Sequence, residues 1–494
     1  MTDNRQKFYI TTAIPYVNAK PHIGHALEFV QADVIRRYQR TLGKETLLLS
    51  GSDENALKNV QAALEAGVDI QAFIDTNTDH FRKLAEALDV EFDVFQRGSD
   101  RKHHFPSSQE LWRRCDAAGD IYQKAYRGLY CVGCEAFYES EELTVAGECP
   151  EHPGKKLEAV QEENYFFRLS KYQDRILELI RSGEFTIVPE TRRNEVLAFL
   201  ERPLEDISIS RTNERARDWG VPVPGDDTQR IYVWFDALNI YQSGVGFGWD
   251  EERYQTWWPA DVHLIGKGII RFHAVYWPAF LLSAKLPTPR SLAVHGYLTV
   301  DGEKMSKTIG NVVDPFELLL RYGVGPLRYF LLRGVPFGED GDFSEEKLVA
   351  IYNGELANGL GNLVARVATL GERVSPLVFD AGRDAEPAVR TAVAEAHTAV
   401  TEELLAFRFN EALAALWRTI GAADRYISEA KPWEIQEQER FGRVIGNACH
   451  LITTVGALLE PFLPDTARRI AGQIRYRDGA FEIKKGAVLF PRLD

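Results

Sequence analysis

Residues 15–43, PYVNAKPHIGHALEFVQADVIRRYQRTLG, decide the fold of this chain. They follow KFYITTAI, a run of β-branched and aromatic residues that predicts a short buried strand. Apolar residues then recur close to every 3.6 positions, which predicts a helix that ends at Gly43. TLLLSGSDEN predicts the next strand and its exit loop. His22 and His25 therefore lie where a strand–loop–helix turn begins its helix, the place at which open α/β sheets bind ligands.

The start of this helix has the chemistry of a phosphate site. A helix N-terminus offers main-chain N–H groups and a partial positive charge, and imidazoles can add hydrogen bonds to phosphate oxygens. Gly24, between the two histidines, lets a flat group approach the main chain closely. An equally good interpretation is that His22 caps the helix and His25 is an ordinary surface residue. The motif alone does not decide between them.

Composition narrows the class of protein. A length of 494 residues predicts about two to four domains, and the absence of a long apolar run argues against a membrane span. The first residues, MTDNRQKFYI, lack a signal-peptide core, so we expect a cytoplasmic location. The net charge of −14 argues against a general nucleic-acid coat protein but allows a local basic groove. Three basic clusters, RRYQR at 36–40, TRRN at 191–194 and RRIAGQIRYR at 468–477, are each better interpreted as solvated helix faces.

The pattern along the chain predicts an α/β protein with a Rossmann-like parallel sheet that is split by an insertion and followed by an all-α helix bundle. Strand and helix patterns alternate at first, give way to a cysteine-bearing segment, return, and end in an almost wholly helical region. The predicted boundaries are 1–115 for the first half of the sheet domain, 116–225 for the insertion, 226–290 for the second half, 291–350 for a connecting region and 351–494 for the helix bundle.

Three of the five cysteines lie in CVGCEAFYESEELTVAGECPEH, which spaces them as C-x2-C and, further on, C-x2-H. Three thiolates and one imidazole are a standard set for tetrahedral Zn²⁺. A redox pair or buried thiols are the alternatives, but redox motifs do not usually bring a second C-x-x-H along. We therefore predict one structural zinc knuckle over 131–152, with Cys115 and Cys449 as core thiols. Its ligands would be Cys131, Cys134, Cys149 and His152.

A second candidate phosphate motif is VDGEKMSKTIGNVVDP. Lys304 and Lys307 flank Ser306 in a loop bounded by glycines, which can close over a polyphosphate and open when pyrophosphate leaves. A solvent-exposed charged loop is the simpler interpretation of this pair alone.

Together the two motifs resemble the class I aminoacyl-tRNA synthetases, in which a HIGH motif opens the first helix and a KMSKS loop closes over ATP. Here they read HIGH at 22–25 and KMSKT at 304–308, with a hydroxyl kept at the fifth position. The interval between them is too short for the large editing insertion of the isoleucyl, valyl and leucyl enzymes. TTAIPYVNAKPHIGHALE, YVWFDALNIY and HLIGKGIIRFHAVYWPA narrow the resemblance to the methionyl-tRNA synthetases, over nearly the whole chain.

This resemblance implies ATP-dependent activation of L-methionine to methionyl-adenylate and its transfer to tRNA(Met), with Mg²⁺ accompanying ATP. The catalytic residues it implies are His22, His25, Lys304 and Lys307. The ATP-binding residues it implies are His22, Gly24, His25, Lys304, Ser306 and Lys307. The methionine-binding residues it implies are Ile14, Tyr16, Asp53, Trp234, Ala237, Leu238, Tyr241, Ile269 and His273. The anticodon-binding residues it implies are Asn362, Arg366 and Trp433. Because no dimerisation domain is visible after the bundle, we expect a monomer.

The chain departs from the family pattern at two places. The usual acidic-acidic-His-Gly stretch reads Asp53-Glu54-Asn55-Ala56, and the usual G-K-D-I reads Gly266-Lys267-Gly268-Ile269. Three other functions therefore stay open at this point: a catalytically silent tRNA-binding paralogue, a synthetase for another small apolar amino acid, and a nucleotidylyltransferase that acts on a small cofactor. The intact HIGH and KMSK motifs argue against the first, and the third leaves the helical region and the knuckle unexplained.

Overall fold

The structure is a computed structural model of the chain. It describes residues 6–131, 136–138, 143–144, 146–150, 157–300, 302–305 and 310–493. The strands in this part of the chain are β1 (Lys7–Thr11), β2 (Glu45–Ser52), β3 (Val94–Arg97), β4 (Ile121–Cys131), β5 (Ala136–Tyr138), β6 (Glu158–Phe167), β7 (Thr186–Val188), β8 (Ile207–Ser208), β9 (Ser210–Thr212), β10 (Pro222–Val223), β11 (Asp226–Ile231), β12 (Val262–Gly266), β13 (Ser291–His295), β14 (Leu298–Val300), β15 (Glu303–Lys304), β16 (Gly341–Phe343), β17 (Leu377–Val378), β18 (Ile474–Arg477) and β19 (Ala480–Ile483).

Helices connect and cover these strands. The α-helices in the same described ranges are α1 (Ile23–Thr41), α2 (Leu57–Glu65), α3 (Ile70–Ala87), α4 (His104–Ala117), α5 (Gln173–Ser182), α6 (Glu190–Leu200), α7 (Asn213–Ala216), α8 (Val233–Ser243), α9 (Glu251–Trp257), α10 (Trp277–Ser283), α11 (Pro315–Tyr322), α12 (Val324–Arg333), α13 (Glu345–Ile351), α14 (Asn362–Gly371), α15 (Ala381–Asp384), α16 (Pro387–Leu405), α17 (Phe409–Ala430), α18 (Gln438–Leu459) and α19 (Pro464–Ala471). Two segments, Phe272–Tyr276 and Tyr352–Gly361, are π-helical. No helix that the structure describes is long and apolar enough to cross a membrane.

The chain folds into two compact units. The first unit consists of Met1–Pro21, Leu42–Glu86 and Val90–His295, and the second of His22–Thr41, Ala87–Asp89 and Gly296–Asp494. The helix α1, which begins with the HIGH motif, therefore groups with the C-terminal half of the chain.

A six-stranded parallel sheet forms the centre of the first unit, in the order β3-β2-β1-β12-β13-β7. Ile10 of β1 lies opposite Leu48 of β2 and Val262 of β12, and all three are buried. Parallel strands are covered on both faces, so their sequences are continuous apolar runs, as in KFYIT and ETLLLSGS. The predicted α/β fold with a parallel sheet is confirmed.

A separate antiparallel sheet, in the order β5-β4-β6-β8, belongs to the segment between the two halves of the parallel sheet. Its long strands β4 and β6 pair from Ile121 opposite Phe167 to Tyr130 opposite Glu158. Cys131 ends β4 and is buried.

Long helices dominate the second unit, and α16, α17 and α18 pack against one another. The helical interpretation of RRIAGQIRYR is wrong at its C-terminal end, because Ile474–Arg477 is a strand paired with β19. Asp478 and Gly479 connect the two strands with φ values of 50° and 80°. Two residues with positive φ form the turn that matches the twist of a hairpin.

A buried cluster of charges lies around Asp33 of α1 in the second unit. Asp33 Oδ1 accepts from Arg36 Nη2 at 3.3 Å, and Oδ2 accepts from Arg37 Nε at 2.7 Å and Arg328 Nη2 at 2.8 Å. The prediction that RRYQR forms a solvated helix face is therefore wrong for Arg36, which is buried. Arg36 and Arg328 can be buried here because the Asp33 carboxylate accepts from both and main-chain carbonyl oxygens accept from Arg328, while Arg37 stays partly exposed.

Arg328 connects α12 to other parts of the second unit. Its Nε donates to Phe462 O at 2.9 Å and its Nη1 donates to Leu88 O at 3.0 Å. Asp33, on the helix that begins with the HIGH motif, is thereby linked to the segment that follows α18. The cluster fixes α1 against the C-terminal helices.

We expect Arg328→Met to lower the free energy of unfolding by about 3–5 kcal/mol, because it leaves Asp33 and three main-chain carbonyl groups with fewer partners. The control is Arg321→Met, since Arg321 is 58% exposed and pairs with Glu345 at the surface. This control should lose less than about 1 kcal/mol. Urea unfolding followed by tryptophan fluorescence measures both, and equal losses would contradict the role given to the buried cluster.

Candidate active site

Two loops of the first unit place Tyr16 beside Asp53. The residues form an isolated parallel bridge beyond the ends of β1 and β2, and Asp53 N donates to Pro15 O at 2.9 Å. Asp53 is 2% exposed. A carboxylate is thus held at the carboxyl edge of the parallel sheet, where ligands of α/β proteins bind.

An aromatic wall lies next to this bridge. The Trp234 ring, on α8, meets the Tyr16 ring edge-on with centroids 6.1 Å apart and stacks on the Phe272 ring at 3.7 Å. Phe272 was not predicted as a site residue. Its position beside His273 in the motif RFHAVYW was the available signal.

Tyr241 and His273 form a buried hydrogen-bonded pair in which the protons can be assigned. His273 Nδ1 lies 2.9 Å from Ile269 O, and a carbonyl oxygen only accepts, so Nδ1 carries a proton. Burial lowers the pKa of His273 to about 4, so the ring is neutral at pH 7 and Nε2 is an acceptor. The Tyr241 hydroxyl, 2.7 Å away, therefore donates to Nε2.

The structure brings the nine predicted methionine-binding residues together in the first unit. Seven of them belong to, or pack against, one hydrophobic cluster: Ile14, Tyr16, Trp234, Ala237, Leu238, Tyr241 and Ile269. Asp53 is bridged to Tyr16, and His273 is bonded to Tyr241. Aromatic rings and one neutral imidazole suit an uncharged, polarizable side chain.

The HIGH motif forms a compact arrangement of its own in the second unit. Gly24 N donates to His22 Nδ1 at 3.1 Å, and His22 N donates to His25 Nδ1 at 3.1 Å. His22 does bond the main chain of the first turn, as the capping interpretation proposed. Since both Nδ1 atoms accept, each ring carries its proton on Nε2, which can donate to an anion. Burial lowers the pKa of His22 to about 4, so this ring is neutral at pH 7.

Gly24 also makes a close contact within the motif. A Cβ on Gly24 would lie 2.8 Å from His22 Cε1 and 3.0 Å from His22 Nδ1. The close approach that requires glycine is therefore made by the histidine ring of the motif itself.

The structure describes only part of the KMSKT segment. The same Cβ position on Gly24 is 3.8 Å from Met305 Cε, which places Met305 beside the HIGH motif within the second unit. Ile23 N also donates to Val313 O at 3.2 Å, just beyond that segment. Lys304 ends β15, whereas Ser306, Lys307 and Thr308 lie outside the described residues.

The three predicted anticodon-binding residues lie in the second unit. Asn362 begins α14 and is exposed, and Trp433 is 52% exposed in the turn Pro432–Glu434. Arg366 Nη2 donates to Asp424 Oδ1 at 2.7 Å.

Of the four predicted zinc ligands, Cys131 and Cys149 are buried, while Cys134 and His152 lie outside the described residues. Within the described ranges, no group of three or more His, Cys, Asp or Glu side chains is placed to hold a metal. Cys115 and Cys449 are confirmed as buried thiols, and burial raises the pKa of Cys115 to about 12.

The family model and the relatives that match this chain describe the same kind of protein. The sequence model described as "tRNA synthetases class I (M)" matches residues 8–160 and 153–368. A methionine–tRNA ligase of Brucella suis biovar 1 is 42% identical over 478 residues, which are 94% of this chain and 91% of that protein. The ligase of Mycobacterium tuberculosis (strain ATCC 25618 / H37Rv) is 43% identical over 475 residues, 94% of this chain and 91% of that one. The chain belongs to the methionyl-tRNA synthetases.

Solved structures of this family share the fold. The Mycobacterium tuberculosis methionyl-tRNA synthetase in complex with methionyl-adenylate has a TM-score of 0.92 and 40% identity, and covers 99% of this chain and 100% of that one. The free-state structure of the Mycobacterium tuberculosis methionyl-tRNA synthetase has a TM-score of 0.86 and 36% identity, and covers 100% of this chain and 99% of that one. The likeness in fold to these solved structures therefore covers nearly the full length of the chain.

The lowered pKa of His273 predicts a pH dependence of stability. An unfolded histidine binds a proton below about 6.5, whereas folded His273 does so only below about 4, so stability is lost as pH falls through this window. In His273→Gln this contribution is absent. We expect the difference in melting temperature, wild type minus variant, to decrease between pH 6.5 and 4, as measured by calorimetry in steps. A difference that stays constant across the window would contradict the neutral buried state.

Proposed function

We propose that this chain is a methionine–tRNA ligase that activates L-methionine with ATP and transfers the methionyl group to the 3′ end of tRNA(Met) in the cytoplasm. The observation that carries the proposal is the aromatic pocket bounded by Asp53 and by the Tyr241–His273 pair, in a chain about 42% identical to such ligases over nearly its full length.

Recognition of methionine divides between two parts of the pocket. Asp53 is buried beside Tyr16 and takes the ammonium group of the substrate, since opposite charges attract more strongly where water is largely excluded. The rings of Tyr16, Trp234 and Phe272 contact the thioether, whose polarizable sulfur interacts favourably with aromatic faces and edges. Because His273 is neutral, its ring offers no positive charge to pair with an acidic side chain in the position of the thioether.

Activation needs no covalent intermediate with the enzyme. A carboxylate oxygen of methionine attacks the α-phosphorus of ATP, the bond from that phosphorus to the bridging oxygen breaks, and pyrophosphate leaves. Catalysis of such a displacement is positioning and charge stabilisation. The Nε2–H groups of His22 and His25 donate to the phosphate oxygens, and Lys304 and Lys307 neutralise the pyrophosphate. Mg²⁺ that arrives with ATP supplies further charge neutralisation when it is bound.

Transfer to tRNA requires the second unit to recognise an anticodon. Asn362 and Arg366 address base edges, and the half-exposed indole of Trp433 stacks on an unpaired base. Arg366 is already bonded to Asp424, which holds its guanidinium in a fixed orientation. We expect the enzyme to act as a monomer.

Amino-acid-dependent exchange between ATP and pyrophosphate, without tRNA, tests the proposal. Methionine should support exchange far better than leucine, isoleucine, valine or cysteine. Exchange strongest with another amino acid would indicate a different synthetase, and no exchange with any of them would indicate a silent tRNA-binding paralogue.

The same assay tests the histidines. His25→Ala should reduce the exchange rate by about 100-fold or more, because it removes a donor to charge that develops in the transition state. Its equilibrium affinity for methionine should stay within about twofold, since that amino acid contacts other residues. His397→Ala, on an exposed position of α16, is the control and should keep wild-type exchange. Loss of methionine affinity with an unchanged exchange rate would contradict the role of His25.

A zinc ion held by Cys131, Cys134, Cys149 and His152 would give the insertion a closed structural site. Two of the ligand thiols are buried, and three thiolates with one imidazole form a complete tetrahedral shell. With four protein ligands, the ion would have no open position for substrate.

Metal analysis of the purified protein should find one zinc per chain. Cys134→Ser should lower the zinc content, because a shell of three ligands binds the ion less tightly. Cys115→Ser, which changes a buried thiol outside the motif, should keep the zinc. Full zinc content in Cys134→Ser would remove this cysteine from the ligand set.

A further inference from the structure

The segment 53–55 joins the two parts of the pocket within the first unit. At one end, Asp53 is bridged to Tyr16. At the other end, Asn55 Nδ2 donates to Asp236 Oδ2 at 2.6 Å. Asp236 lies on α8, the helix that also carries Trp234.

The main chain of this segment is fixed on both sides of Glu54. Asn59 Nδ2 donates to Asp53 O at 2.8 Å, and Trp219 Nε1 donates to Glu54 O at 2.8 Å. The position of Asp53 is therefore coupled to that of Asn55 through a short stretch of immobilised backbone.

The Glu54 side chain adds to this rigidity. Its buried carboxylate accepts from Ser52 Oγ and Thr78 Oγ1, each at 2.8 Å, and from Arg97 Nε at 2.7 Å. A fully satisfied buried network of this kind holds one geometry.

The Asn55 side chain reaches α8. Besides Asp236, its Nδ2 donates to Gly98 O at 2.8 Å, so both amide hydrogens are used. The amide nitrogen of Asn55 thus connects the loop after β3 to the first turn of α8.

Asp236 is itself held in a fixed position by hydrogen bonds. Its Oδ1 accepts from His104 Nε2 at 2.8 Å and from Ser108 Oγ at 2.7 Å, and the carboxylate is buried. Both donors lie on α4, so the helix with the pocket aromatics is anchored at the residue that Asn55 contacts.

We propose that Asn55 is a positioning residue: through Asp236 it sets the separation between Asp53, which takes the ammonium group, and α8, which contacts the methionine side chain. This rests on the proposed role of Asp53. Asn55 stands where the family pattern has a histidine, and its amide nitrogen donates both hydrogen bonds. Neither Asn55 nor Asp236 touches the substrate.

Substitution of Asn55 should weaken the binding only of ligands that contact both Asp53 and α8. Methionine contacts Asp53 and α8 together, so an error in their separation weakens its binding. 4-(Methylthio)butanoate is methionine without its amino group, and it depends on α8 alone. Substitution of Asn55 should therefore affect the first ligand and spare the second, whereas general damage to the pocket would affect both.

The test compares Asn55→Asp and Asn55→Ala with Asn77→Ala, a buried asparagine on α3 whose amide bonds Phe73 O. Asn55→Asp places a carboxylate against Asp236 and should raise the KM for methionine about tenfold or more in the exchange assay. The KM for ATP and the inhibition constant of 4-(methylthio)butanoate should stay within twofold of wild type. Asn77→Ala should leave all three unchanged. If Asn55→Asp fails to fold, Asn55→Ala gives the same comparison with a smaller effect.

Measurements in the Asp53→Asn variant distinguish a failure of this inference from a failure of the proposed function. In Asp53→Asn the effect of Asn55→Ala on the methionine KM should fall below twofold, because Asn55 acts through Asp53. Equal weakening of both ligands, or an undiminished effect in Asp53→Asn, would overturn the positioning role while methionine activation stands. Absence of methionine-dependent exchange in the wild type would instead overturn the proposed function.

Discussion

The hydrogen bond from the Tyr241 hydroxyl to His273 Nε2 is the interaction on which the rest of the pocket depends. It is possible only because His273 Nδ1 is committed to Ile269 O and burial keeps the ring neutral. A protonated ring would carry a donor at Nε2 and repel the tyrosine proton. The neutral pair therefore fixes the orientation of Tyr241, and neither of its two side chains carries a charge.

Outside the pocket, buried carboxylates fix the positions of helices. Asp236 joins α8 to α4 in the first unit, and Asp33 joins α1 to α12 in the second. Each accepts several hydrogen bonds from fixed donors, so each holds a helix that carries candidate site residues. Removal of one partner leaves a charge buried without compensation, which is why such clusters permit few alternative arrangements.

Much of the fold was readable from the sequence, because parallel strands are continuous apolar runs and helices repeat near 3.6 residues. The β18–β19 hairpin was missed although Asp478-Gly479 is a dipeptide typical of two-residue hairpin turns, because its strands are short and its arginines were interpreted as part of a basic helix face. The prediction of a solvated helix face failed at Arg36, because the sequence pattern does not show that Asp33, three residues earlier, pairs with it inside the protein.

The residues of the candidate site were likewise only partly predictable from the sequence. The HIGH and KMSK motifs and the pocket aromatics were recognisable from local residues. Phe272, His104 and Asp236 were missed, since their roles arise from contacts between residues far apart in the chain, such as the bond from Asn55 to Asp236. Such contacts become predictable only once the strands and helices are placed.

Equilibrium binding of L-methionine and L-norleucine, followed by intrinsic tryptophan fluorescence without ATP or tRNA, tests most directly whether the aromatic pocket recognises a thioether. The two ligands differ only in sulfur against a methylene group. Sulfur–aromatic contacts predict tighter binding of methionine by about two- to tenfold. Equal affinities, or tighter binding of norleucine, would contradict the assignment of these aromatic residues to the methionine side chain.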